Sequence, residues 1–131
     1  MNKKIKTIIF DLGGVLLNID FRLTQEAFIQ HGIAQAVEFY NKHSRIKLFD
    51  DLEKGDISPK YFYDEIRRLS EKNLTNAEIQ KAWNVMLLDF PAKRIELLKT
   101  IKHNYQIFLL SNSNIIHYEH YIKQLQNQGV D

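Results

Sequence analysis

Two short apolar runs, each stopping at a cluster of polar residues, constrain this chain more than any other feature. The first, residues 5–10, closes on Ile8-Ile9-Phe10 and gives way to Asp11 and the pair Gly13-Gly14. The second, Gln106-Ile107-Phe108-Leu109-Leu110, gives way to Ser111-Asn112-Ser113-Asn114. Runs of this length, rich in β-branched, aromatic and other apolar residues, read as strands, and the glycine pair lets the backbone turn sharply after the first. The nearly all-apolar second run suits a strand covered on both faces in a parallel sheet. Ligands of open parallel α/β sheets bind outside the carboxyl ends of the strands, so Asp11 and Ser111 are expected there together.

The stretch from about 21 to 88 has helical periodicity in roughly four segments and calls for no strand. Gly55-Asp56 breaks one helix; Ser58 then serves as N-cap with Pro59 at the first helical position, and Phe62, Ile66 and Leu69 share a face. That helix is predicted to run to about residue 72. Thr75 and Glu78 have capping-box spacing, followed by Ile79, Trp83 and Met86 at helical intervals. Pro91 opens a further helix with Ile95, Leu98 and Ile101 on one face, and the chain turns at His103-Asn104 into the second strand. Residues 115–128 read as a last helix, with no third strand behind it.

At 131 residues the chain can bury one ordinary core, or a core with a small insertion. Its 44% apolar and 26% charged residues are the balance of a soluble globular protein. A formal charge of +2, with no basic arm, implies no nucleic-acid partner. The absence of cysteine leaves only an oxygen nucleophile and fits a reducing compartment. Lys3, Lys4 and Lys6 precede an apolar stretch that Asp11 cuts too short for a signal peptide or membrane span, which points to a cytoplasmic protein.

A carboxylate at a strand's carboxyl end can attack phosphorus, splitting a hard hydrolysis into two displacements through an aspartyl-phosphate. Asp11 has that position. Two anions repel, so a bridging cation is needed; a hard Mg2+ held by carboxylate and carbonyl oxygens is the usual answer, and the Gly13 carbonyl is close enough along the chain to contribute. Ser111 offers a hydroxyl and an N–H, and Asn112 an amide, to phosphoryl oxygens. Taken singly, Asp11 and Ser111 read equally well as turn formers ending strands.

Taken together, Ile8-Ile9-Phe10-Asp11-Leu12-Gly13-Gly14-Val15-Leu16 and Phe108-Leu109-Leu110-Ser111-Asn112 resemble the first and second motifs of the haloacid dehalogenase (HAD) superfamily. The helices between them resemble the cap inserted in many members, and Leu48-Phe49-Asp50-Asp51-Leu52-Glu53-Lys54-Gly55-Asp56-Ile57-Ser58 is similar to the cap of bacterial α-D-glucose-1-phosphate phosphatases. The resemblance implies an α/β fold with a partial Rossmann-like parallel sheet, formed by 1–18 and 89–131, and a helical cap at 19–88. It implies a Mg2+-dependent phosphatase of small phosphorylated metabolites such as sugar phosphates. Asp11 would be nucleophile and metal ligand, Gly13 a second ligand through its carbonyl, and Ser111 with Asn112 the phosphate binders.

Three departures accompany the likeness. Gly13 stands where the family's second aspartate, the proton donor, is usual, as in the subgroup this sequence most resembles. After Ser111 there is no lysine in the expected setting, Lys123 lying too near, and no acidic pair to complete the metal site. The chain therefore reads as truncated after the second motif, weakly active or inactive, with open sheet edges, uncovered apolar faces and low stability. Two alternatives differ in class: a dehalogenase of the same superfamily, metal-independent, and a naturally short, non-catalytic binding protein.

Elsewhere, His117 and His120 could share a helix face for a metal, but two imidazoles make an incomplete site and are read as a solvated helix end. Phe39, Tyr40, Phe49, Tyr61, Phe62, Tyr63 and Trp83 could line a substrate-facing cap surface but are read mostly as cap core. Arg45, Lys47 and Lys54 earn no assignment.

Overall fold

The computed structural model describes residues 4–41 and 44–130, with residues 40, 41, 44 and 45 described by backbone alone. Lys3 and the side chains of Tyr40 and Arg45 lie outside the described residues. Strand β1, Thr7–Phe10, and strand β4, Gln106–Leu109, pair in parallel, with Ile8 opposite Ile107 and Phe10 opposite Leu109. Between them lie the helices α1 (Phe21–Gln30), α2 (Lys47–Lys54), α3 (Pro59–Leu69), α4 (Asn76–Asn84) and α5 (Ala92–Ile101). Helix α6, Ile115–Asn127, follows β4. The expectation of an α/β fold with a parallel sheet is met.

Local signals in the sequence act where they were read. The Ser58 side chain accepts from the Tyr61 N–H with Pro59 behind it, and Thr75 and Glu78 form the reciprocal capping box. α3 stops at Leu69, short of residue 72, because the chain turns at Ser70, whose hydroxyl donates to the His31 carbonyl. Pro91 is the N-cap of α5 and not its first helical residue.

Two expectations are corrected. Residues 21–88 do contain strand: β2, Tyr40–Asn41, and β3, Ser44–Arg45, pair antiparallel behind a 3-10 turn at Ala34–Glu38. The second strand is not covered on both faces; it shows the uncovered apolar face expected of a parallel pair without further strands. Phe10 and Ile107 pack on the cluster of Leu12, Leu17, Phe90, Ile95 and Leu98, whereas the paired Ile9 and Phe108 on the opposite face are 62% and 57% exposed. Among the described residues the sheet has two strands, so side chains that alternate along each strand find helices on one face only.

A second cluster fills the inserted lobe around Phe28, Phe39, Phe49, Phe62, Ile66, Ile79 and Trp83, all nearly or wholly buried. Ile116 of α6 packs into it, so the two clusters meet along that helix. The lobe leaves and rejoins through two segments bonded side by side. The Asn18 N–H donates to the Asp89 carbonyl, the Asp20 N–H to that of Met86, and the Leu88 N–H to that of Asn18. Arg94 ties the junction further by donating to Asn18 Oδ1 at 3.0 Å.

Candidate functional site

The turn after β1 is coiled tightly. The Leu12 carbonyl accepts from the N–H groups of Val15, Leu16 and Leu17, and the Gly14 N–H donates to the Leu17 carbonyl. Gly14 sits at φ 76°, the left-handed region that favours glycine. A Cβ on Gly13 would come within 3.1 Å of Ile19 Cδ1, so a side chain there would have to push Ile19 aside. These turn bonds use the carbonyls of Leu12 and Leu17 and leave that of Gly13 available.

Asp11 is exposed at the tip of β1, and its Oδ1 accepts from the Leu12 N–H at 2.7 Å. Among the described residues no group bonds its Oδ2. The neighbouring strand releases its loop at the same level, because the Leu110 N–H donates to the Phe10 carbonyl at 2.9 Å. Asp11, Gly13, Ser111 and Asn112 accordingly line one half-open cleft of about 410 Å³. The structure thus brings all four sequence-predicted residues together.

The cleft's other wall comes from the helical lobe and α6; of its residues, sequence reasoning weighed only Phe39 and Trp83 for a surface facing the site. Phe21, Phe39, Glu53 and Trp83 face the cleft from the lobe, His117 and Tyr121 from α6. The aromatic residues read as lobe core are divided. Phe49 and Phe62 are wholly buried, Phe39 and Trp83 are buried yet border the cleft, and Tyr61 is 49% exposed. Lys47 is spent on Asp51 and Lys54 ends α2, so neither reaches the cleft.

The reading of His117 as a solvated helix-end residue is overturned. It is 7% exposed and stacked on the Trp83 indole with ring centroids 4.7 Å apart. Burial, the largest influence, pushes its pKa down to about 4, against the bond to the Trp83 carbonyl. Burial also lowers His120, with Lys123 adding to the effect, and raises the Tyr121 phenol against a hydrogen bond from Ser113. No group of three or more potential metal-ligating side chains occurs among the described residues. One signal was present in the sequence: His117 lies three residues after Asn114, a good N-cap, on the turn that abuts the polar loop.

Burying a neutral imidazole makes stability depend on pH. The unfolded histidine titrates near 6.5 and the folded one at about 4, so between these values the unfolded chain binds more protons. The contribution is complete above about pH 6.5, falls as pH drops, and is gone near pH 4, amounting to about 3 kcal/mol. Urea unfolding across this range should show the slope, and subtracting the His117→Gln curve should isolate it. Identical slopes in the two proteins would refute the assignment.

Strand tips that deliver a carboxylate and a hydroxyl–amide loop to one cleft, beneath a helical lobe inserted between the strands, define a class: cap-bearing α/β proteins of the Rossmann-like type. No family model matches the chain. A D-ribitol-5-phosphate phosphatase of Bacteroides thetaiotaomicron is 32% identical over 110 residues, 84% of this chain and 53% of the relative. The crystal structure of a HAD-family enzyme of the same organism, in complex with magnesium and inorganic phosphate, superposes with a TM-score of 0.83 at 36% identity. The match covers 92% of this chain and 59% of that one. A predicted HAD-like hydrolase of Porphyromonas gingivalis matches with a TM-score of 0.74 at 32% identity, over 86% of this chain and 53% of that one. Over 84–92% of its length the chain is similar to hydrolases of the haloacid dehalogenase family, and it spans a little over half the length of these relatives.

Proposed function

We propose that these residues supply the nucleophile, the first metal ligands and the phosphate loop of a Mg2+-dependent phosphatase acting on small phosphorylated metabolites, sugar or alditol phosphates. The observation that carries this reading is the shared cleft of Asp11, Gly13, Ser111 and Asn112 at the ends of two paired parallel strands. The phosphatase name of one relative and the magnesium and phosphate bound by another support it. The reading takes 1–18 and 89–131 as core, 19–88 as cap, and the cytoplasm as the setting; among the described residues no helix is long and apolar enough to cross a membrane.

The donors fit a hard cation: a carboxylate with one oxygen unbonded among the described residues, and the Gly13 carbonyl two residues on. Bound there, Mg2+ would neutralise charge between carboxylate and phosphate. Asp11 Oδ2 forms the new bond to phosphorus while the bond from phosphorus to the leaving oxygen breaks, and Ser111 and Asn112 donate to the phosphoryl oxygens. Water then attacks the aspartyl-phosphate, releasing phosphate and restoring Asp11. Glu53 and the aromatic lobe residues close the cleft over the rest of the metabolite. Glucose 1-phosphate and ribitol 5-phosphate are the two substrates to compare, the first from the cap likeness, the second from the named relative.

Because Gly13 has no proton to give, the first test uses a leaving group that needs none. Incubated with Mg2+ and 32P-labelled acetyl phosphate, then acid-quenched, the chain should carry label on Asp11, and EDTA should abolish it. Label that is metal-independent or lies elsewhere would reject the mechanism. Absence of label, or halide release from a haloacid, would move the reading to a binding protein or a dehalogenase.

A further inference from the structure

Helix α6 begins one turn of chain after Ser111, and its N-cap belongs to a buried polar cluster that the chemistry above does not use. Asn114 Oδ1 accepts from the His117 N–H at 3.0 Å and lies 3.4 Å from the Trp83 indole N–H. The Asn114 amide nitrogen is 3.1 Å from His117 Nδ1, and His117 Nε2 is 3.1 Å from the Trp83 carbonyl oxygen. A carbonyl can only accept, so Nε2 carries the ring proton, and Nδ1 is left to accept from the Asn114 amide. The ring is thereby fixed as one neutral tautomer. The Trp83 carbonyl, in the last turn of α4, also accepts from the Thr24 hydroxyl at 3.1 Å. It therefore receives one bond from α1 and one from α6.

The loop 111–113 has no regular structure of its own to hold it. Ser111 Oγ makes one weak contact, 3.5 Å to the Asn112 carbonyl. The loop's upstream end is fixed by the Leu110 to Phe10 backbone bond. Its downstream end is fixed at Asn114. Donors aimed at a phosphoryl group act only when pre-positioned within a few tenths of an ångström, so the groups that hold such a loop govern its use.

We propose that His117 is a positioning residue: by bridging Asn114 to the Trp83 carbonyl it locks the phosphate loop to helix α4, so that phosphate donors and overhanging lobe are placed as one unit. This rests on the reading that Ser111 and Asn112 bind phosphate. Burial of His117, which keeps the ring neutral at ordinary pH, maintains the tautomer the bridge requires.

The test uses the full 131-residue chain and two variants. His117→Phe keeps a stacked ring and deletes both nitrogens; His117→Gln retains an N–H that can reach the Trp83 carbonyl. By calorimetry with inorganic phosphate and Mg2+, His117→Phe should bind at least about tenfold more weakly and His117→Gln within about threefold of the parent. By amide hydrogen exchange, His117→Phe should lose about tenfold protection at the amides of 112–118 while α2 and α3 keep theirs. Unchanged exchange and unchanged affinity in His117→Phe would overturn the proposal. If the parent binds no phosphate, the phosphate reading fails, and the exchange data alone decide the positioning role. If His117→Phe does not fold, 15N spectra of the parent decide: an Nδ1–H or charged ring at pH 7 would overturn the bridge, and an Nε2–H ring with a slowly exchanging proton upholds it.

Discussion

Asp11→Asn is expected to leave the fold intact and to lower phosphate release and covalent labelling by at least about a thousandfold, about 4 kcal/mol of barrier. The substitution is nearly isosteric, and the amide oxygen can still accept the Leu12 N–H that now bonds Oδ1. What is lost is chemical. An amide is too weak a nucleophile to attack phosphorus and carries no charge to bind a divalent cation. The comparison is clean because Asp11 is exposed and, among the described residues, makes no buried ion pair whose loss would destabilise the chain. Release at the parental rate in Asp11→Asn would remove Asp11 from the mechanism, and with it the two-displacement scheme.

The second large effect concerns the helical lobe. Phe49 has no exposed surface and packs against other rings, with centroids 5.3 Å from Phe39, 6.2 Å from Phe62 and 4.6 Å from Trp83. Phe49→Ala should therefore cost about 3–5 kcal/mol, the transfer free energy of the ring plus the cavity it leaves. Domains of this kind hold only about 5–15 kcal/mol in total, so the lobe should melt well before the parent protein. Chemical unfolding followed by Trp83 fluorescence would measure this directly. Phe108→Ala on the bare sheet face serves as the control, expected within about 0.5 kcal/mol of the parent. Equal costs at the two positions would show that the lobe core is not the stability centre described above.

Features that depend on a few adjacent residues were legible without coordinates. Asp11 and Ser111 end strands because apolar runs stop there, and the Thr75–Glu78 capping box needs only residues three apart. Features that depend on what lies opposite were not. Phe108 and Leu109 are as apolar as buried strand residues, yet their exposure depends on which other strands and helices are present to cover them. His117 could not be recognised as buried without knowing that Trp83, far away in sequence, stacks on it. Phe21 carries no motif, and nothing singles out Glu53 within the cap-like stretch 48–58; both reach the cleft because the lobe folds back over the strand tips. The short β2–β3 pair lacked the long alternating pattern by which strands are read.

The side-by-side bonding of segments 18–20 and 86–89 bears on how such a protein can change over generations. Seen from the sheet, the whole insertion occupies the footprint of a two-stranded hairpin, since its entry and exit are already neighbours. A lobe of another size or shape could be exchanged at this doorway without asking β1, β4 or Asp11 to move. On the reading proposed above, the scaffold separates two kinds of innovation: the strand tips fix what is done to phosphorus, and the replaceable lobe determines to which metabolite.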